Sequence, residues 1–428
     1  MAHFHLVGIG GAGMSGLARI LRAQGQRITG SDATASPITT KLRQEKFPIQ
    51  IGPKPKPNFT DKSVIIHSTA VPQDHPELRL AHARHLKILS YPAALGLITQ
   101  GKKVLAVAGT HGKSTTTGLI IAGLKAAQIP FSCLVGTNLP ELNQGNAQVA
   151  NAEIFVLEAC EYQAGFLHLT PEIIALTNLE AEHLDYFQNF TNYLAAFQKL
   201  VQKIPAQGFL IAAASTKNLP SLRSLAPHFW NAEQANLTVS LQIPGAMNRC
   251  NAQLALAVAQ VLKIDLAKFQ QGLAKFTGGE RRLELKGQVK GALIFDDYAH
   301  HPTEIQALLQ AAREKFPTKK IVLVYQQHQL DRVNKFFEPL VASLALADVV
   351  VIPNFYLVRE EQQTKTKITP TTLVRALRQK GTPAFYEPGF PKTIQWLQKN
   401  LNTDSIALIT GAGDIYKITS SLLQKSSN

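Results

Sequence analysis

Hydrophobic residues along this chain occur in short runs that alternate with stretches of helical spacing. The first run, His3 to Ile9, predicts a buried strand, the stretch from Ala12 to Gln24 predicts a helix, and Arg27 to Ser31 predicts a second strand. A strand, a helix and a second strand in this order are typical of a βαβ unit. The N-terminal region is therefore predicted to begin as one half of a nucleotide-binding domain.

The same alternation continues and divides the chain into three regions. A new βα unit starts with a strand at 104–108 and a helix from 113 to about 127. We predict an α/β protein of three domains with mostly parallel sheets, at residues 1–100, 101–283 and 284–428. Further strands are predicted at 63–67, 154–158, 173–177, 292–295, 320–325, 349–352 and 406–410, and a further helix at 192–202. The proline-rich run 53–57 cannot hold a central strand, and residues 425–428 are predicted to form a frayed tail.

Composition narrows the class of protein. A chain of 428 residues with 45% hydrophobic residues is long enough for two or three domains, each with its own core. The three cysteines lie far apart without a CxxC pair, which argues against a disulfide framework or a structural zinc site and favours a reducing compartment. We find no signal-peptide pattern and no apolar stretch of about 18 residues, so we predict a cytoplasmic protein without membrane insertion.

The net charge of +15 admits nucleic acid, an anionic membrane surface or phosphorylated small molecules as partners. Lysine and arginine are scattered, and no motif combines aromatic and basic residues as RNA-binding domains do. We therefore predict no nucleic-acid partner. The positive charge also fits a generally basic proteome.

The segment from Gly109 to Thr115 carries the strongest chemical signal. Its sequence, Gly-Thr-His-Gly-Lys-Ser-Thr, stands between an apolar strand and a helix, where backbone amides can cradle phosphate. The general phosphate-loop pattern requires a glycine where Val107 stands. The segment therefore does not match that pattern residue by residue, but it has the strand–loop–helix context that a phosphate-binding loop needs. Lys113 is predicted to reach the β- and γ-phosphates of a nucleotide, and Ser114 to offer its hydroxyl to magnesium. The alternative is a glycine turn that only caps the helix.

A second glycine-rich loop opens the chain. Gly8-Ile9-Gly10-Gly11-Ala12-Gly13 matches the dinucleotide-binding fingerprint, and Asp32 follows about twenty residues later at the end of a strand. Alone, this pattern indicates an NAD-dependent dehydrogenase. A UDP-sugar presents the same diphosphate to the helix N-terminus, and the phosphate loop later in the chain favours that interpretation.

Two acidic segments follow predicted strands of the central region. Glu158 ends one strand and is a candidate magnesium ligand, because ligand sites form at the carboxyl ends of strands in α/β sheets. His183 lies among Glu180, Glu182 and Asp185 after another strand and is a candidate second ligand. A structural histidine and a solvated acidic loop are the alternatives.

Several of these segments together resemble one family, the Mur ligases. The resemblance rests on the Gly-Ile-Gly-Gly-Ala-Gly-Met-Ser-Gly opening, Gly-Thr-His-Gly-Lys, Glu-Ala-Cys-Glu-Tyr, and Asp-Asp-Tyr-Ala-His-His-Pro-Thr-Glu, in this order along nearly the whole chain. It implies three domains: an N-terminal Rossmann-like domain that binds UDP, a central P-loop ATPase, and a C-terminal Rossmann-like domain that brings an amino acid.

The resemblance also implies roles for individual residues. The catalytic residues would be Lys113, Glu158, His183 and Arg282. The ATP site would comprise Gly109, Thr110, His111, Gly112, Lys113, Ser114, Thr115, Asn248, Asn251, Arg282 and Asp297. Two magnesium ions would be held by Ser114, Glu158 and His183. The UDP-sugar site would comprise Gly8, Gly10, Gly11, Gly13, Met14, Ser15, Asp32 and Ser68, and the amino acid would meet His328 and Arg332.

The chain departs from the family pattern at a few positions. Met247 stands where relatives have a histidine, and Gln327 and Gln329 stand where relatives more often have proline and arginine. Relatives that add later amino acids carry a carbamylated lysine at the position that Phe197 matches. In lacking this lysine, the chain resembles the members that join L-alanine to UDP-N-acetylmuramate.

The implied reaction is ATP-dependent joining of L-alanine to the carboxylate of UDP-N-acetylmuramate through an acyl phosphate, in peptidoglycan precursor synthesis. Such a chain is compatible with a homodimer. Three rival functions are a related ligase that adds a recycled tripeptide to the same UDP-sugar, an NAD-dependent dehydrogenase, and a UDP-sugar sensor without catalysis. The last two leave the phosphate loop and its acids unexplained.

Overall fold

The computed structural model describes residues 2–53, 58–143, 145–328, 330–356 and 368–424, without the side chains of Asp331 and Arg332. These residues belong to two compact units, one of Met1–Gln242 with Cys250–Thr277 and one of Ile243–Arg249 with Gly278–Asn428. Within the described ranges, no helix is both long enough and apolar enough to cross a membrane. Most of the proline-rich run and the predicted tail at 425–428 lie outside the described residues.

The first unit begins with a five-stranded, fully parallel sheet in the order β3-β2-β1-β4-β5. Its elements are β1 (His3–Val7), α1 (Ala12–Ala23), β2 (Arg27–Asp32), α2 (Pro37–Gln44), β3 (Ile49–Ile51), β4 (Ser63–His67), α3 (Pro76–Ala83), β5 (Lys87–Ser90) and α4 (Tyr91–Ile98). The chain order reverses between β1 and β4, and open α/β sheets bind ligands beyond the strand ends at such a point. The strand predicted to reach Ile9 ends at Val7, because Gly8 turns the chain with a φ of +80°.

The same unit contains a seven-stranded sheet in the order β12-β11-β10-β6-β9-β7-β8, in which only the β7–β8 pair is antiparallel. Its strands are β6 (Lys103–Ala108), β7 (Ser132–Leu139), β8 (Gly145–Gln148), β9 (Ile154–Glu158), β10 (Ile173–Leu176), β11 (Phe209–Ala212) and β12 (His228–Asn231). Its α-helices are α5 (Lys113–Ala126), α6 (Leu184–Phe187), α7 (Phe190–Val201), α8 (Pro220–Arg223), α9 (Ala246–Val261), whose residues up to Arg249 belong to the second unit, and α10 (Leu266–Lys275). Short 3-10 helices lie at Pro140–Leu142, Tyr162–His168 and Ala232–Gln234. Because β6 lies between β9 and β10, the loops that follow these three parallel strands meet at one edge.

Helix α7 contributes aromatic side chains to the core next to these loops. It begins two residues before the predicted start, because the Asn189 side chain caps it by accepting a hydrogen bond from the Asn192 amide. Phe197 is fully buried, and its ring meets the Phe166 ring edge-on at 5.0 Å. Phe197, the position at which the resemblance would place a carbamylated lysine in some ligases, is therefore part of the apolar core of this chain.

The second unit contains a six-stranded sheet in the order β13-β14-β18-β15-β16-β17, parallel except for the edge strand β13. Its strands are β13 (Glu284–Val289), β14 (Ala292–Asp297), β15 (Lys320–Tyr325), β16 (Val349–Ile352), β17 (Ala384–Tyr386) and β18 (Ser405–Thr410). Its helices are α11 (Pro302–Lys315), α12 (Leu330–Lys335), α13 (Phe337–Leu344), α14 (Pro370–Gln379), α15 (Gly389–Asn400) and α16 (Tyr416–Gln424). With the other two sheets, it confirms the predicted α/β fold of three domains with mostly parallel sheets.

Candidate active site

The segment 109–115 forms a loop between β6 and α5, as predicted. Gly109 and Gly112 have φ angles of +129° and +79°, which side-chain-bearing residues rarely adopt. Gly112 occupies the N-cap of α5 and has no side chain that could accept from the first N–H groups of the helix. Asn178 fixes the loop, accepting from the His111 amide at 3.0 Å and donating to the His111 carbonyl at 3.0 Å. The loop thus presents a helix N-terminus suited to an anion.

Lys113, the first residue of α5, points back over this loop. Its ammonium donates to the carbonyls of Gly109 and Thr110 at 2.7 and 2.9 Å and lies 2.9 Å from a carboxylate oxygen of Glu161. Burial opposes the charged form, but the neighbouring acidic groups, Glu161 foremost among them, together outweigh burial and raise the pKa of Lys113 above its ordinary value. A cation therefore lies at the N-terminus of α5 at neutral pH.

Ser114 and Glu158 come together beside the loop. The Ser114 hydroxyl donates to Glu158 Oε1 at 3.0 Å, and the amide of Gly136 donates to Oε2 at 2.8 Å. The hydroxyl reaches Glu158 because β9 runs parallel to β6 and ends beside it. A hydroxyl and a carboxylate are the oxygen ligands that magnesium prefers, so these two residues fit the predicted metal role.

His183 lies at the same edge, after β10. Its backbone is left-handed, with a φ of +52°, and it caps α6. Its Nε2 lies 3.6 Å from Glu161 Oε1, and the ring of Tyr162 lies 4.8 Å from its own ring. The fold thus brings His183 to the group of Lys113 and Glu161.

The other predicted nucleotide contacts of the first unit also lie at the loop. Thr110 bonds to the hydroxyl of Tyr193 at 2.9 Å, and His111 Nε2 lies 3.5 Å from a Glu180 carboxylate oxygen. Thr115 is half-buried in the first turn of α5. Asn251 is buried so close to the loop that a Cβ on Gly112 would lie 2.7 Å from its Oδ1. The side chain of Asn251 thus adds to the left-handed backbone in favouring glycine at position 112.

The N-terminal glycine loop lies between the ends of β1 and β4. Asp32 braces it, since Oδ2 accepts from the Gly10 amide at 2.8 Å and Oδ1 accepts from the Thr34 amide at 3.2 Å. Ser68 follows β4, and its hydroxyl accepts from the Ala70 amide at 3.3 Å. Both oxygens of Asp32 thus accept from backbone amides, one in the glycine loop and one in the turn after β2.

Helix α1 starts from this loop with Gly11 at its N-cap. A Cβ on Gly13 would lie 2.3 Å from the Tyr91 hydroxyl, so the last glycine of the motif makes room for a tyrosine. Met14 and Ser15 are buried, and the Ser15 hydroxyl donates to the Ala12 carbonyl. These contacts give structural reasons for three residues that we predicted to meet a UDP-sugar.

The second unit places Arg282 and Asp297 together where β14 ends. Asp297 accepts from the amides of Leu283 and Ala299 at 2.6 and 2.7 Å. Burial raises the pKa of Asp297, and the charge of Arg282 opposes that rise. The Arg282 guanidinium lies 5.4 Å from the centre of the Tyr298 ring.

The remaining predicted residues of the second unit lie on other elements. The Asn248 side chain donates to the Pro244 carbonyl at 2.7 Å. His328 stacks on Tyr356, with ring centres 5.5 Å apart. Gln327 is buried and donates to the His328 carbonyl at 2.7 Å, so the unusual glutamine supports the backbone of a predicted substrate residue. Gln329 and the Arg332 side chain lie outside the described residues.

Our predicted site omitted two residues that hold it together. Asn178 fixes the phosphate loop, and Glu161 contacts Lys113 and His183. Glu161 is the second acid of Glu-Ala-Cys-Glu-Tyr, and Asn178 lies two residues after the end of β10, so both lie near the strand ends that pointed to Glu158. Cys160, between the two acids, is exposed.

Known families match all three regions of the chain. Family models described as the Mur ligase family catalytic domain, the Mur ligase middle domain and the Mur ligase glutamate ligase domain match residues 3–103, 107–228 and 281–413. A UDP-N-acetylmuramate–L-alanine ligase from Clostridium acetobutylicum is 33% identical, with 98% of this chain and 97% of the relative covered.

Solved structures agree with these matches. The UDP-N-acetylmuramate–alanine ligase of Thermotoga maritima matches with a TM-score of 0.84 at 25% identity, covering 100% of this chain and 99% of that chain. A murein peptide ligase from Psychrobacter arcticus shares the fold with a TM-score of 0.71 at 24% identity, covering 100% and 99%. On the family models and the full-length relative, the chain belongs to the Mur ligase family.

Proposed function

We propose that this protein is an ATP-dependent ligase that joins L-alanine to the carboxylate of UDP-N-acetylmuramate, in the synthesis of peptidoglycan precursors. The observation that carries the proposal is the group at the phosphate loop, where Lys113, Ser114 and Glu158 meet beside a helix N-terminus. A dehydrogenase or a passive sensor has no use for this group. Full-length relatives named as L-alanine ligases support the choice of amino acid.

The chemistry requires activation of a carboxylate. The γ-phosphoryl group of ATP passes to a carboxylate oxygen of the muramic acid, giving an acyl phosphate and ADP. The alanine amine then attacks the acyl carbon, and the tetrahedral intermediate expels phosphate and leaves an amide. Because no protein nucleophile takes part, Cys160 needs no catalytic role.

The phosphate loop would bind the nucleotide. Its backbone amides would meet the phosphates, and the Lys113 ammonium would offset the repulsion between two anions as the phosphoryl group moves. Arg282 would stabilise the same developing charge. The loop residues Gly109, Thr110, His111, Gly112 and Thr115 would line the phosphates, and Asn248, Asn251 and Asp297 would contact the adenine and ribose.

Magnesium fits the oxygen ligands at the loop. Ser114 and Glu158 would hold one ion, and Glu158 and His183 a second. Bound magnesium would neutralise phosphate charge and polarise the reacting oxygens. Glu158 is already directed at Ser114 by the Gly136 amide, so the chain itself orients the shared carboxylate.

The two other substrates would bind at strand ends of the outer domains. The UDP diphosphate would lie at the α1 N-terminus, next to the glycine loop and Ser68. The carboxylate of alanine would be held by Arg332 with His328, since an arginine fork suits a carboxylate. We place the reaction in the cytoplasm, where ATP and UDP-sugars are available.

A phosphate-release assay tests the proposal directly. With ATP, magnesium and UDP-N-acetylmuramate, release should depend on L-alanine and exceed release with glycine or serine. In competition, free alanine should be used in preference to the tripeptide that the related recycling ligase adds. Preferential use of the tripeptide, or NADH binding without ATP turnover, would contradict the proposal.

The metal role of His183 can be tested with His183→Ala. A site that loses one ligand holds its ion more weakly, so the magnesium concentration for half-maximal activity should rise about tenfold or more. Excess magnesium should restore part of the activity. An unchanged magnesium dependence with a lowered melting temperature would make His183 a structural residue.

A further inference from the structure

The carboxylate of Glu161 joins two predicted catalytic residues. Its side chain is only 2% exposed. Oε1 lies 3.1 Å from Lys113 Nζ and 3.6 Å from His183 Nε2, and Oε2 lies 2.9 Å from Lys113 Nζ. One buried carboxylate therefore contacts both a phosphate-binding cation and a candidate metal ligand.

Protein acceptors surround the ammonium of Lys113. Two of its hydrogen bonds go to carbonyls of its own loop, Gly109 and Thr110, and another goes to Glu161. An ammonium has three protons, so these contacts use its donor capacity. A nucleotide phosphate can engage Lys113 only by replacing some of them.

Glu161 supports His183 in a similar way. The backbone of His183 has a left-handed conformation, its ring centre lies 4.8 Å from that of Tyr162, and its Nε2 lies 3.6 Å from Glu161 Oε1. Groups that contact a metal-binding side chain fix its direction and strengthen its binding. Loss of the carboxylate would therefore loosen the imidazole.

We infer that Glu161 is a positioning residue that occupies the place of a phosphate charge at Lys113 until the nucleotide binds, and that orients His183 for the reaction. This inference rests on the proposed function. Glu161 then has two opposite effects. Its charge competes with the nucleotide for Lys113, and its contacts with Lys113 and His183 prepare the site for turnover.

Glu161→Gln separates these effects, because glutamine keeps the shape of the side chain and removes its charge. Without the competing anion, ADP should bind about tenfold more tightly in the absence of metal. With all substrates and saturating magnesium, kcat should fall about 10- to 100-fold, as expected when a group that orients a metal ligand is changed.

The control variant is Glu172→Gln. Glu172 pairs with Lys103 at 3.0 Å where β6 begins, at the sheet edge opposite the phosphate loop, so its substitution makes the same change in net charge away from the site. Calorimetric titration of ADP in the presence of EDTA should give the same affinity for this variant as for the parent chain.

A second measurement does not depend on substrates. The rate at which trinitrobenzenesulfonate labels Lys113, followed by mass spectrometry, should rise in Glu161→Gln and stay unchanged in Glu172→Gln. Tighter ADP binding, faster labelling and lower kcat together support the inference.

Other results overturn it in distinguishable ways. If Glu161 is a metal ligand only, metal-free ADP affinity will not rise, and if it is only structural, affinity and kcat will fall together with the melting temperature. If the parent chain itself fails to bind ADP, both the inference and the proposed function are wrong.

Discussion

Replacing Lys113 with alanine is expected to lower ATP-dependent phosphate release more than about a hundredfold, which corresponds to loss of a charge contact to the transferring phosphoryl group. The residue lies on the first turn of α5, and its ammonium reaches the carbonyls of the loop that would hold the phosphates. The measurement is phosphate release at saturating substrates, with circular dichroism to show that the variant is folded.

Because Lys113 pairs with Glu161, a second variant is needed to interpret the result. Lys113→Ala leaves a buried carboxylate without its cation, which lowers stability as well as activity. The double variant with Glu161→Gln removes that uncompensated charge, so its melting temperature should recover while turnover stays low. Near-parental phosphate release by folded Lys113→Ala would show that Lys113 does not act on the phosphates.

Local sequence patterns predicted the parts of the site that local geometry determines. The phosphate loop was recognisable because its glycines, Lys113 and Ser114 adjoin one strand and one helix. Glu158 was found by the same reasoning, since a strand-end position depends only on neighbouring residues. The strands that bracket these loops were predicted to within about two residues.

Contacts between distant segments were not predictable. Lys113 and Glu161 are 48 positions apart and meet only because β6 and β9 are neighbours in the sheet. The last glycine of the N-terminal motif, Gly13, is close to Tyr91 on another helix, and no motif records that proximity. The carboxylate of Asp32 braces the glycine loop, a contact that the pattern did not predict, while its predicted role at the UDP-sugar stays a prediction.

The largest expected effect on stability is at a buried pair in the first domain. His5 on β1 and Glu77 on α3 are 1% and 0% exposed, and His5 Nε2 lies 2.9 Å from Glu77 Oε1. The other ring nitrogen of His5 bonds to the Thr29 hydroxyl at 2.8 Å, and the Ser31 hydroxyl donates to Glu77 Oε2. This network joins α3 to the strands that carry the glycine loop.

Glu77→Ala should therefore lower the free energy of opening of the first sheet by about 3–5 kcal/mol. The substitution removes one member of a buried pair and leaves the polar groups of His5 and Ser31 without this hydrogen-bond partner. Hydrogen exchange of the amides in β1 and β2 is the suitable measurement, since it reports on this sheet without requiring two-state unfolding of the whole chain.

The control is Asp61→Ala, which breaks a pair with Arg84 at 3.6 Å in which the Asp61 side chain is 83% exposed. Exposed pairs contribute at most about 1 kcal/mol, so the control should leave exchange in β1 nearly unchanged. A similarly small effect of Glu77→Ala would mean that water or neighbouring groups satisfy His5 and Ser31 in its absence, and that the pair does not hold α3 to the sheet.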